Sequence, residues 1–169
     1  MCKENGPICI HLEMEPYLRQ WLIAENGGVT PISFPKLSIE NRILEIYLRK
    51  LPWNAIPDKA TEHTVAIAIP EFRHTDPRTY NYLPKAAMQE LKNCIRQRFL
   101  IQLWTDLHQF GHIGSRRDHL IYAWMETHGI EINDTNFNTL AKIYQRQHRA
   151  YKQRQRRKNK KEKKSKKSS

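Results

Sequence analysis

The chain has 169 residues, 39% of them hydrophobic, with 29 Lys and Arg against 17 Asp and Glu and a formal net charge of +12. That length supports one good core or two small ones. No run comes near 18 uninterrupted apolar residues, which excludes a membrane-spanning helix.

The charge is unevenly placed. Residues 142–169 hold 14 Lys and Arg against the single acid Glu162, a net of +13, and the preceding 141 residues hold 15 against 16, a net of −1. A near-neutral body with a polycationic end points to a polyanionic partner, with nucleic acid the first candidate. The segment Met1-Cys2-Lys3-Glu4-Asn5-Gly6-Pro7 has neither an apolar signal core nor a small-residue cleavage site, so the protein is expected to stay where it is made. Cys2, Cys9 and Cys94 are odd in number and form no C-x-x-C pair, which predicts reduced, metal-free thiols in a cytoplasm.

In residues 8–14, Ile8, Ile10, Leu12 and Met14 alternate with Cys9, His11 and Glu13, the period of a half-buried strand. Glu15-Pro16 then suits a helix start, Tyr17, Leu18, Trp21 and Leu22 share one face, and Asn26-Gly27-Gly28 ends the helix. Residues 29–34 are extended, demoted to an edge strand or loop by Pro31. A second helix is predicted over residues 39–50, capped by Ser38, with Ile39, Ile43, Ile46, Tyr47 and Leu51 inward and Pro52 as its stop. Val65, Ile67 and Ile69 alternate with Thr64, Ala66 and Ala68 in a second clear strand, whose small outer residues predict cover on the other face too. The sum is a β-α-β-α-β unit over residues 8–70.

Residues 71–84 read as a Pro-rich connector in which Asp76-Pro77 starts a turn; Tyr80 and Tyr82 either pack back on the body or stack on bases. From Pro84 the pattern is helical. Leu91, Ile95, Phe99, Leu103, Leu107 and Phe110 recur every three or four residues, with Cys94 and Trp104 widening the stripe, until Gly111 and Gly114 break it. Ser115 to Asp118 resembles a capping box for a short helix that buries Leu120, Ile121, Trp124 and Met125 and closes on Gly129 at C′. Asn133 or Asp134 caps the last helix, with Phe137, Leu140, Ala141, Tyr144 and Tyr151 inward.

That helix changes character after Tyr144. Arg146, Arg149, Lys152, Arg154, Arg156, Arg157 and Lys158 are interleaved with Gln and Tyr, all compatible with a helix that would project roughly 18 Å from Arg146 to Lys158. Like charges at i,i+4 predict fraying of its outer turns and folding on contact with phosphates, and the Lys/Ser run after Lys158 is expected to be disordered. A Lys-rich end can serve solubility alone, but arginine forks and Gln amides are suited to phosphates and base edges. A membrane surface fits poorly, because the segment has almost no apolar face.

Residues 115–150 form a helix–turn–helix in the broad sense, with a turn longer than usual and a possible reading edge at Asn136 and Asn138, whose alternative role is capping. Arg116 and Arg117 stand at a helix N-terminus against its dipole, a placement that a nearby anion would explain. No catalytic constellation is visible. His108 and His112 have metal-pair spacing but lack the acid of H-E-x-x-H, carboxylates are scattered singly, and no phosphate-binding glycine loop or nucleophile elbow occurs. Neither a metal nor a cofactor is expected.

The strings from Gln102 to Gly114, Leu120 to Ile130 and Asn136 to Gln147, with Phe72-Arg73 and Asp76 to Pro84, together resemble uncharacterised proteins carried by phages and integrated mobile elements of gut Bacteroidales bacteria. The similarity spans about residues 8–158. It implies a bacterial cytoplasm and a mobile-element setting; it implies no activity, cofactor or site residues.

The expected protein is therefore α+β, with a small β-α-β-α-β unit (8–70), a connector (71–84), a C-terminal three-helix unit (85–151), and a basic helical arm with a disordered Lys-rich tail (152–169). Its expected function is non-enzymatic DNA binding in an accessory or regulatory role, through the seven cations from Arg146 to Lys158 extended by Arg116 and Arg117. A phage structural, assembly or protein-interaction component is the alternative, and RNA binding a further one.

Overall fold

The structure, a computed structural model, describes residues 6–56, 59–110 and 116–165. Its elements run β1 (Cys9–Glu13), α1 (Pro16–Glu25), α2 (Ile39–Tyr47), β2 (Thr64–Ala68), α3 (Lys85–Phe110), α4 (Arg117–Thr127) and α5 (Asp134–Ser165). Among the described residues the fold is α+β and mostly helical, with five helices and one two-stranded antiparallel sheet. The chain forms two compact units: Met1–Phe99 with His128–Glu131, and Leu100–Thr127 with Ile132–Ser169.

In the first unit β1 and β2 pair antiparallel, Cys9 opposite Ala68 and Glu13 opposite Thr64. Their alternation places Ile10, Leu12, Val65 and Ile67 in the core. The run around Pro31 contributes a single bridge on the other side of β2: Ile32 N donates to the Ala66 carbonyl (2.9 Å) and Ala68 N to the Ile32 carbonyl (2.8 Å). The missing proline N–H limits that edge to one residue. The predicted middle strand is thus reduced to a bridge.

α1 starts at Pro16, buries Tyr17, Leu18, Trp21 and Leu22, and ends at Asn26, after which Gly27 and Gly28 take positive φ of 96° and 75°. Gly28 N donates back to the Ile23 carbonyl at 2.9 Å, occupying one of the helix's terminal acceptors.

Two expectations for α2 are corrected. Ser38 does cap it, accepting from Asn41 N at 3.1 Å, but the helix stops at Tyr47, five residues before Pro52. Leu48 turns extended, and Arg49 exchanges two backbone hydrogen bonds with Tyr82 (2.8 and 3.1 Å), a pairing that ends the helix early. The buried face is also rotated: Glu40, Asn41, Ile43 and Leu44 are inside, while Ile39 and Ile46 face solvent. Glu40 pulls the helix round, because its carboxylate lies 2.8 Å from the Arg98 guanidinium, which in turn sits 5.2 Å over the Trp21 ring.

Segment 71–84 is not where the units part. Its Asp76-Pro77 turn forms as expected, with the Asp76 carboxylate accepting from Arg78 N at 2.9 Å. Tyr80 and Tyr82 are half-buried, Lys50 Nζ lies 5.7 Å over the Tyr80 ring, and Leu83 is fully buried. The division falls inside α3 instead, between Phe99 and Leu100. A two-stranded sheet cannot shield its own core. Leu91, Ile95 and Phe99 of α3 complete the first unit's core, Phe99 meeting Tyr17 and Trp21 at 5.3 Å each.

The second unit is helical. Leu103 and Leu107 of α3, Ile121, Trp124 and Met125 of α4, and Leu140 and Tyr144 of α5 are its buried hydrophobic residues among those described. Trp124 Nε1 donates to Asp106 at 2.9 Å, and Tyr122 stacks on Phe137 at 4.4 Å. Gly129 takes φ +65° after α4, and Asn133 Oδ1 accepts from Asn136 N at 2.8 Å, so Asn133 is the cap of α5. The expected capping serine, Ser115, and the helix break at Gly111 and Gly114 lie outside the described residues. α5 is helical through Ser165, where composition predicts fraying and then disorder. Lys, Arg and Gln are good helix formers, no Gly or Pro follows Asp134, and each like-charge i,i+4 pair opposes the helix by only about 0.2–0.5 kcal/mol.

Candidate nucleic-acid interface

The root of the basic arm is fixed by a ring cluster within the second unit. Trp104 stacks on His108 (4.6 Å, 18° between planes) and meets Tyr144 at 5.7 Å and Tyr151 at 5.6 Å. Tyr144 stacks on His148 (5.8 Å, 6°), His108 meets Tyr151 edge-on at 4.8 Å, and Gln147 Nε2 donates to the Leu100 carbonyl at 3.2 Å. Contacts of Leu100 with Gln147, Trp104 with His148 and His108 with Tyr151 advance together along both helices, so α3 and α5 run parallel here. Ring pairs of this kind contribute about 0.5–1.5 kcal/mol each beyond burial. Sequence reading missed the cluster as a unit. Its signal was present, since Trp104/His108 and Tyr144/His148 are i,i+4 pairs and Tyr151 stands three residues on.

Beyond Tyr151, α5 continues to Ser165, about 21 Å at 1.5 Å per residue. Arg146, Arg149, Lys152, Arg154, Arg156, Arg157 and Lys158 are all exposed. Among the described residues none of the seven is ion-paired; the pairs that are formed join Arg42 to Glu45, Arg96 to Glu15, Arg98 to Glu40, His63 to Glu62 and His128 to Glu25. At 100° per residue, Arg146, Arg149, Lys152, Arg156 and Arg157 share the side opposite Leu140, Tyr144 and Tyr151, while Arg154 and Lys158 fall on the ring-cluster side.

Arg116 and Arg117 are both exposed, and Arg117 is brought to the arm's root, its guanidinium 5.9 Å over the Tyr144 ring. The His148 imidazole registers that neighbourhood. Burial, then Lys152, Arg117 and His108, hold its pKa below the ordinary histidine value.

Of the possible reading edge of α5, one of the two asparagines is exposed and the other is buried. Asn136 is only 3% exposed, its backbone N–H held by Asn133, and Phe137 is stacked on Tyr122; Asn138 remains exposed. The turn between α4 and α5 is also held elsewhere. Glu131 N donates to Gln20 Oε1 at 3.1 Å, and His128–Glu131 cluster with the first unit. The turn between the two helices is therefore neither short nor free, while Asp134, Thr135 and Asn138 at the start of α5 are exposed.

Among the described residues no three His, Cys, Asp or Glu side chains gather as a metal site. His108 is engaged with rings, and its possible metal partner His112 lies outside the described residues. Burial raises the Cys9 and Cys94 thiols above the ordinary cysteine value, unlike an activated thiolate. No helix among the described residues is long and apolar enough to cross a membrane. No protein-family model matches the chain, and no curated protein or solved structure matches it either.

Proposed function

We propose that this is a non-enzymatic DNA-binding accessory or regulatory protein of a phage or mobile element, contacting phosphates through the α5 arm with Arg116 and Arg117 beside its root. The setting rests on the family resemblance. The binding rests on one observation: seven exposed cations on a single helix, none neutralised by a carboxylate among the described residues. DNA is favoured over RNA on shape. A helix fits the major groove of B-form DNA, about 12 Å wide, whereas the A-form groove is deep and narrow.

The test is a full-length variant carrying Arg149→Gln, Lys152→Gln, Arg156→Gln and Arg157→Gln, which keeps good helix formers at each site. Its affinity for a random-sequence duplex should fall at least about 100-fold at moderate salt, with unchanged circular dichroism. Undiminished binding removes the arm from the function. Tighter binding of a structured RNA than of duplex DNA sets the DNA reading aside.

The assembly or protein-interaction reading draws on a different observation, the exposure of Leu37 (101%), Trp53 (97%) and Ile56 (79%). It predicts self-association that Trp53→Ser weakens. Sedimentation as a monomer in both forms leaves it without support.

A further inference from the structure

The first unit contains a cleft of about 540 Å³. Three segments distant in sequence build its wall. β1 supplies His11 and Glu13 from the sheet face opposite the core, the turn before β2 supplies Lys59 and His63, and the first two turns of α3 supply Lys85 and Lys92. Three lysines and two histidines thus line the cleft with one carboxylate, Glu13, and a second, Glu62, lies 3.3 Å from the His63 ring outside it.

The turn that presents His63 is held firmly. Thr61 N donates to Thr64 Oγ1 (2.9 Å), Thr64 Oγ1 to the Thr61 carbonyl (2.9 Å), and Met14 N to the His63 carbonyl (3.0 Å). An adjoining cleft of about 390 Å³ shares Glu13, His63 and Lys92; its further acid, Glu15, is already tied to Arg96 at 3.2 Å. His11 Nδ1 is withdrawn from solvent and has no hydrogen-bond partner among the described residues. Met88 adds apolar wall, so the lining has a cationic part and an apolar part.

We infer that this cleft binds a phosphorylated small molecule of nucleotide size, its phosphates met by Lys59, Lys85 and Lys92 and by the two imidazoles. The volume falls in the range of small-ligand pockets, and lysine ammoniums are suited to phosphate as mobile point charges. Its apolar wall is where a base would lie. The inference is independent of the arm, because every wall residue belongs to the first unit.

The probe is ATP, titrated into the full chain and read by calorimetry and by the ring resonances of His11 and His63. Saturable 1:1 binding that shifts both histidines is expected. The Lys85→Gln/Lys92→Gln chain should bind at least tenfold more weakly, while the fourfold arm variant binds as wild type. Pyrophosphate should compete and adenosine should not. The inference is overturned by no saturable binding, by binding lost with the arm charges but not with the cleft lysines, or by adenosine competing where pyrophosphate fails. Loss of duplex affinity in the Lys85→Gln/Lys92→Gln chain, without loss of ATP binding, would make the cleft part of the DNA surface and also overturn it.

Discussion

Gly129 and Gly27 both take positive φ, yet they should answer differently to the same substitution. A Cβ on Gly27 meets nothing within 4 Å, whereas one on Gly129 comes 2.8 Å from Ala24 Cβ, a methyl with no rotamer to move aside. Gly27→Ala should cost only the left-handed conformation, about 1 kcal/mol, and Gly129→Ala roughly 2–4 kcal/mol because backbone must shift as well. Urea unfolding of the two variants checks the ordering; equal losses would mean the Ala24 contact is slack. Glu40 and Arg98 make a second residue-scale case. Glu40 is 3% exposed, so Arg98→Met strands a carboxylate and removes the guanidinium over Trp21. Arg98 is partly exposed, which moderates the loss to roughly 2–3 kcal/mol. Adding Glu40→Gln should restore more than half of it. A double variant no more stable than Arg98→Met would show that the ring contact, rather than the ion pair, holds α2.

At the scale of elements, legibility followed the source of each element's partners. The faces of α1 and α3 were readable because Tyr17, Leu18, Trp21 and Leu22, and Leu91 to Leu107, are apolar on one side and bury that side. α2 misled because its orientation is set by a charge 58 positions downstream, and no local period encodes Glu40 finding Arg98. The arm's cations were legible by composition, but the extent of its helix was not: low complexity also fits disorder, and only propensity distinguishes the two. The cleft was invisible, since His11, Lys59 and Lys92 come from segments with no shared motif. For α5 a pH effect follows with a definite sign. His148 in the folded chain titrates below its ordinary value, so on acidification the unfolded chain takes up this proton first. Its contribution to stability is complete above about pH 6.5 and is lost as pH falls through the lower folded value. His148→Gln should therefore show a smaller fall in melting temperature between pH 7.5 and 5.5 than wild type; parallel curves would exclude the imidazole as the source. Duplex binding should raise the His148 pKa, because phosphates offset Lys152 and Arg117.

The whole molecule is an electrostatic dipole in covalent form, with +13 over residues 142–169 and −1 over the rest. Phosphate contact releases counterions in proportion to the cations engaged, so salt dependence counts them. Shape limits that count. A straight helix presents one side to a duplex, and the 12 Lys and Arg of residues 142–165 are distributed around the α5 axis, so about half of them meet phosphates at once. The expected slope of log affinity against log salt is on the order of −6, a loss of about 10³–10⁴-fold between 50 and 200 mM. It should be the same for unrelated duplex sequences, since phosphates carry none, and the fourfold glutamine variant should lower its magnitude by roughly 3.6. A slope near −12 would require every cation to be engaged, which a straight helix cannot do, and would show that the arm unwinds on the duplex. A slope near zero would mean that the cations of α5 do not meet phosphates at all.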